Sequence, residues 1–159
     1  MTNELTGKYF VKNSAAANYT DITTLVDGVR VLKIDGFLAK GKPVNIYTAQ
    51  WTDSQTEDFM ITTMDGNTPV VVRENVDLEI TFIVHAKYAQ NTIDVMTQHE
   101  TFVNYLTNSD VWIESAYVNN RHVHCVCLQD YKPTTVKLQR GADSYIMGTI
   151  VLHTLTQPT

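Results

Sequence analysis

Between Asn75 and Ala86 the apolar residues Val76, Leu78, Ile80, Phe82, Val84 and Ala86 fall at strict period two. Successive side chains of a strand point to opposite faces. The run therefore reads as one long strand, with one face in a core and the other toward water or a partner. That requires partner strands, and the flanking sequence offers them. Val29 to Phe37 reads as a strand ended by Gly36 and the Lys40-Gly41-Lys42-Pro43 turn. Val44 to Thr52 follows as another, with Asn45, Tyr47, Ala49 and Trp51 alternating against Val44, Ile46, Thr48 and Gln50. Segments 58–64 and 68–73 read as a hairpin turned by Asp65-Gly66-Asn67.

One stretch has helical period. Ile93, Met96, Phe102, Val103 and Leu106 form an apolar stripe within Thr92 to Thr107. Asn91 or Thr92 is the expected cap, Asp94 suits the positive N-terminal end, and Asn108-Ser109 ends the helix. A helix this short needs a sheet to pack on. Then come Val111 to Val118 and Arg121 to Gln129 around Asn119-Asn120, and Lys132 to Arg140 and Ser144 to Leu155 around a Gly-Ala-Asp turn. Val, Ile and Thr supply 50 of 159 residues, which suits pleated sheet. The expected fold is mainly β: an antiparallel β-sandwich or barrel with one flanking α-helix. Its expected boundaries are a flexible or extended N-terminal arm over 1–27, a sandwich over 28–155, and a frayed tail over 156–159.

The formal net charge of −5 argues against a phosphate-binding surface, which would draw on Lys and Arg. No apolar run reaches the length of a membrane span, and Met1 to Leu5 does not open a secretory signal. Two cysteines make no disulfide framework, and synthesis in a reducing cytoplasm is expected.

His122, His124, Cys125 and Cys127 suggest a metal cluster at first sight. On a strand, however, the histidines face one way and the cysteines the other. Residues i and i+2 of a strand also lie roughly 6–7 Å apart, too far for a disulfide. No metal and no cofactor is expected. His85, His99 and His153 are scattered, and there is no nucleophile-elbow or Gly-rich phosphate loop. No catalytic residue is assigned. Asp77 and Glu79, on one face of the central strand, are expected solvated or paired across strands with Lys or Arg. Trp51 reads as core beside Tyr47. The candidate interface residues are Phe59 and Met60 in the hairpin region and Phe10 and Tyr19 in the arm.

The order of elements resembles phage distal-tail and tail-tube-like proteins. Gly28 to Phe37 resembles their opening strand, Arg73 to Val84 their long central strand, Thr92 to Thr107 their helix, and Ser144 to Leu155 their closing strand. The resemblance covers about residues 28–155. It implies a β-sandwich with a flanking helix, assembled as a homo-oligomeric ring or tube around a channel through which DNA passes without specific contact. Other tail or baseplate proteins would be its partners, with no membrane, and the virion tail its destination. No further carbohydrate-binding-like domain follows Leu155, which leaves the ring-forming part. The rival reading is a non-catalytic binding module for carbohydrate or peptide. A small β-barrel enzyme or lipid carrier stands third.

Overall fold

The computed structural model describes residues 9–42, 73–116, 121–139 and 143–156, together with the backbone of 62–65 and 68–71. Its strands in chain order are β1 (Tyr9–Lys12), β2 (Thr20–Asp21), β3 (Val29–Asp35), β4 (Thr62–Asp65), β5 (Thr68–Val71), β6 (Asp77–His85), β7 (Val111–Ser115), β8 (Arg121–Val126), β9 (Thr135–Lys137) and β10 (Tyr145–Thr154). One α-helix, α1 (Val95–Thr107), separates β6 from β7. The described residues are mainly antiparallel β with a single α-helix, as the pattern predicts. The strands other than β4 and β5 form one sheet, ordered β2-β1-β7-β8-β10-β6-β3, with β9 beside β10. β4 and β5 form the expected hairpin, from Thr62↔Val71 to Asp65↔Thr68.

The closing strand organises the sheet. One edge of β10 pairs with β6 from Tyr145↔His85 to His153↔Asp77. Its other edge is divided, with β9 on the first part (Tyr145↔Lys137 to Met147↔Thr135) and β8 on the last (His153↔Val126, Thr154↔Cys125). A strand that gives its two halves to different neighbours lets the sheet turn a corner. Tyr131 lies against the strand at Gly148, where a Cβ would collide with its ring.

The ends of the sheet come together. The 3-10 turn Ile22–Thr24 touches both β1 and β3. The Tyr9 and Phe37 rings lie 5.9 Å apart, and the Arg121 guanidinium donates to the Phe37 carbonyl at 3.2 Å. The inner face thus becomes one core. From β6 it takes Leu78, Ile80, Phe82 and Val84, all fully buried, with Ile150 and Leu152 from β10 and Ile113, Val123 and Cys125 from β7 and β8. Phe82 meets Phe102 of α1 at 4.7 Å between ring centroids, so the helix lies across the inner face.

Several expectations are corrected. The stretch 1–27 is no separate arm over its described part, because Tyr9, Val11, Ile22 and Val26 are core residues. Four residues alternating between buried and half-buried positions are enough for a strand once β7 supplies its hydrogen bonds. The helix is capped by Asp94, whose carboxylate accepts from Met96 N at 3.1 Å, not by Asn91 or Thr92. Its buried residues are Val95, Phe102 and Leu106, with Ile93 and Val103 packed against the core, so the expected stripe holds except at Met96, which is exposed while Val95 turns inward. In β3 the register shifts between Val31 and Lys33, which turns Leu32 out and brings Ile34 in. The predicted strand 44–52, with Tyr47 and Trp51, lies outside the described residues.

Candidate assembly surfaces

Because the sheet is curled, its outer side presents two different strand groups. On β1, β7 and β8 the outward positions are registered as Lys12↔Trp112↔His124 and Phe10↔Glu114↔His122. The first row is a continuous ladder. His124 stacks on Trp112 with centroids 4.2 Å apart and planes 1° from parallel. Lys12 Nζ lies 5.8 Å from the Trp112 ring and 4.7 Å from that of Tyr19. At the far end the Asp110 carboxylate pairs with His124 Nε2 at 2.6 Å. That hydrogen bond holds the Asp110 carboxyl below the usual carboxylate range. Burial, then the nearby Glu114 carboxylate, pushes the Tyr19 hydroxyl up.

Two of the interface residues named from sequence, Phe10 and Tyr19, therefore fall on this one face, both half-buried. Phe59 and Met60 lie outside the described residues. Trp112, Lys12 and His124 were missed. The signal that finds them is cross-strand register, since three strands far apart in sequence supply one row. The ladder also constrains chemistry. Trp112 has His124 against its ring and a lysine near it, so it offers little open ring face to a stacking sugar.

The second outer face belongs to β3, β6, β10 and β9. Its middle carries small and apolar groups: Ile83 stands opposite Met147, and the Thr81 and Thr149 hydroxyls lie 3.2 Å apart. At one end Asp77 pairs with His153 at 3.1 Å, so its cross-strand partner is a histidine and not the expected Lys or Arg. At the other end rings and cations gather. His85 stacks on Tyr145 at 5.5 Å and lies 5.4 Å from Tyr88. The Arg30 guanidinium sits 3.9 Å from the Tyr88 ring centroid, Lys87 Nζ 5.1 Å from it, and Lys137 Nζ 5.9 Å from that of Tyr145. Partial burial and then Lys87 push the His85 imidazole below its ordinary value.

Inside, His99 Nε2 and the Tyr131 hydroxyl are 2.6 Å apart. Burial lowers the His99 value and raises that of Tyr131 to about 12. The pair is a clasp between α1 and the segment before β9. Cys125 is fully buried, its thiol pushed up to about 12, and it donates weakly to the Val111 carbonyl. Such a thiol is no nucleophile near neutrality. Among the described residues no three His, Cys, Asp or Glu side chains converge on a metal position. No helix among them is long and apolar enough to cross a membrane. A cleft of about 770 Å³ opens between the start of α1 and the segment after β9, lined by Ile93, Met96, Leu138 and polar groups including Asn91 and Ser144.

Comparison with protein-family models and with curated proteins finds no match.

Proposed function

We propose that the chain is a structural subunit of a phage or phage-derived tail, assembling head to tail into a ring or tube around a DNA channel. The observation that carries this reading is the pair of unlike outer faces. A closed ring needs two different, complementary surfaces on every subunit. One face here is an aromatic ladder with two carboxylates, Asp110 and Glu114, beside it; the other has threonines and apolar side chains in its middle and three cations at one end. Element order supports the same reading, with a single helix between a long central strand and its closing partner. The acidic balance suits a passage that must not hold phosphates. Activity on this reading is assembly, with no catalytic residue, no cofactor and other tail proteins as neighbours.

The experiment is sedimentation velocity across a concentration series, with electron microscopy of the product. Assembly predicts species several times 18.0 kDa and annular or tubular particles. Phe10→Glu combined with Tyr19→Ser should reduce them while leaving the β-rich circular dichroism unchanged. A protein that stays at 18.0 kDa at every concentration would defeat the proposal and bring the binding-module reading forward.

A further inference from the structure

The outer side of the sheet has a seam where its two strand groups meet, at β8 and β10. Among the described residues the register there is His153↔Val126 and Thr154↔Cys125. Leu155 N donates across the seam to the His124 carbonyl at 2.7 Å, and Thr154 N donates to the Val76 carbonyl, ahead of β6, at 3.1 Å. A histidine stands on each side. His124 of β8 and His153 of β10 both lie on the outer face, and they are diagonal neighbours, because His153 is registered with Val126, two residues along from His124. Each is held by one carboxylate. His124 Nε2 lies 2.6 Å from Asp110, and His153 Nδ1 lies 3.1 Å from Asp77. Both pairs are partly exposed.

Histidine is the side chain that changes charge between about pH 5 and 8. On the β8 side, His124 has Asp110 against it, Glu114 and His122 in the next row, and Lys12 at the far end of the Trp112 ladder. On the β10 side, His153 has Asp77 and then Glu79 of β6, and beyond Glu79 the Asp35–Lys33 pair of β3. With the imidazoles neutral, carboxylates flank the seam on both sides and repel one another. A second proton on each imidazole turns both contacts into ion pairs, and at Trp112 it places a cation against the indole face. The two imidazolium charges repel across a diagonal of roughly 7–8 Å. Each carboxylate is at 3.1 Å or closer, so attraction wins. We propose that the β8–β10 seam is a proton-operated joint, which tightens when His124 and His153 take up protons and loosens when they release them. The contribution of the two pairs is thus present in mild acid and lost as pH rises. His99, on the inner side, works with the opposite sign, so the joint shows in local measurements at the seam and not in overall stability. It operates within one subunit, with or without assembly.

Amide hydrogen exchange on the full-length protein, read residue by residue by NMR at about pH 5.5 and 8 and corrected for intrinsic exchange rates, tests this across the range in which histidine titrates. The Leu155 amide should be about fivefold better protected at the lower pH, the scale of two partly exposed ion pairs. Ile80 and Ile150, registered with each other in the middle of the β6–β10 pair, should show no matching gain. His124→Gln with His153→Gln should remove the difference at Leu155. Tryptophan fluorescence gives a second readout. A charged imidazole quenches an indole stacked on it, so emission should fall in mild acid, and the fall should be absent in Trp112→Phe. Equal protection of Leu155 at the two pH values overturns the proposal, as does an equal gain at Ile80 and Ile150. A pH difference that survives in the double-histidine variant assigns it to other groups and overturns the proposal too. If that variant does not fold, the wild-type comparison and the fluorescence still decide: emission unchanged with pH shows that His124 takes up no proton in this range.

Discussion

Phe82 and Ile83 are adjacent in β6 and face opposite sides of the sheet, which makes them a controlled pair. Phe82 is fully buried and has three ring neighbours: Phe102 at 4.7 Å, His99 at 5.9 Å and Tyr131 at 6.0 Å. Truncating a buried Phe to Ala costs about 3–5 kcal/mol through lost transfer energy and the cavity left behind. Aromatic pairs add roughly 0.5–1.5 kcal/mol beyond burial, so Phe82→Ala belongs near the top of that range, at about 4–5 kcal/mol. For a chain of this size each kcal/mol moves the melting temperature by about 2–4 °C, which gives a fall of roughly 8–20 °C. Ile83 is half-buried on the outer face, opposite Met147 and Arg30, and Ile83→Ala should cost about 1 kcal/mol or less. Urea unfolding followed by circular dichroism measures both. A Phe82→Ala loss under about 1.5 kcal/mol, or equal losses at the two positions, would refute the assignment of the inner face and the packing of α1 across it.

Alkali should weaken the fold before it ionises the buried thiol. The folded Cys125 value is raised from 9.0 to about 12, so above pH 9 the unfolded chain releases a proton that the folded one keeps. Each pH unit from 9 toward 12 then removes up to about 1.4 kcal/mol, and urea midpoints at pH 8 and 10.5 should show a slope that Cys125→Ala lessens. His99 behaves in the opposite direction: its folded value is lowered by burial, so its contribution is present above 6.5 and is lost as pH falls from there. A flatter acid limb in His99→Asn, measured by the same unfolding titration, checks that sign. Gly36 has φ +119°, and a Cβ there would run into the Asp77 carbonyl and Leu78, so Gly36→Ala should cost at least the roughly 1–3 kcal/mol of a strained backbone position. An unchanged melting temperature would contradict it.

The strand pattern was legible where one face is uniformly buried. Period two in 76–86 locates β6 to within a residue or two, and the paired runs after the helix locate β7 with β8 and β9 with β10. Legibility failed where a neighbour decides. Tyr9 to Lys12 is too short to stand out from a polar leader, and it becomes a strand because β7 offers an edge. Asp94 caps α1 because the chain leaves extended geometry there, at φ −91° and ψ 110°, whereas Asn91 and Thr92 were chemically as suitable. The candidate surfaces behaved in the same way. Phe10 and Tyr19 were identifiable as large side chains in a polar stretch, but Trp112, His124 and Lys12 became their neighbours only through register across three strands.

By itself, then, the sequence determined the class of fold, because hydrophobic alternation and β-branched composition are local properties that burial turns into strands. It also separated His122 and His124 from Cys125, because alternation along one strand needs no partner. Only the tertiary structure decided which outward residues share a face and that β10 divides its edge between β8 and β9. The reason is physical. Sheet register joins residues tens of positions apart through backbone hydrogen bonds that any side chain permits, so the pattern on one strand carries no record of what stands beside it.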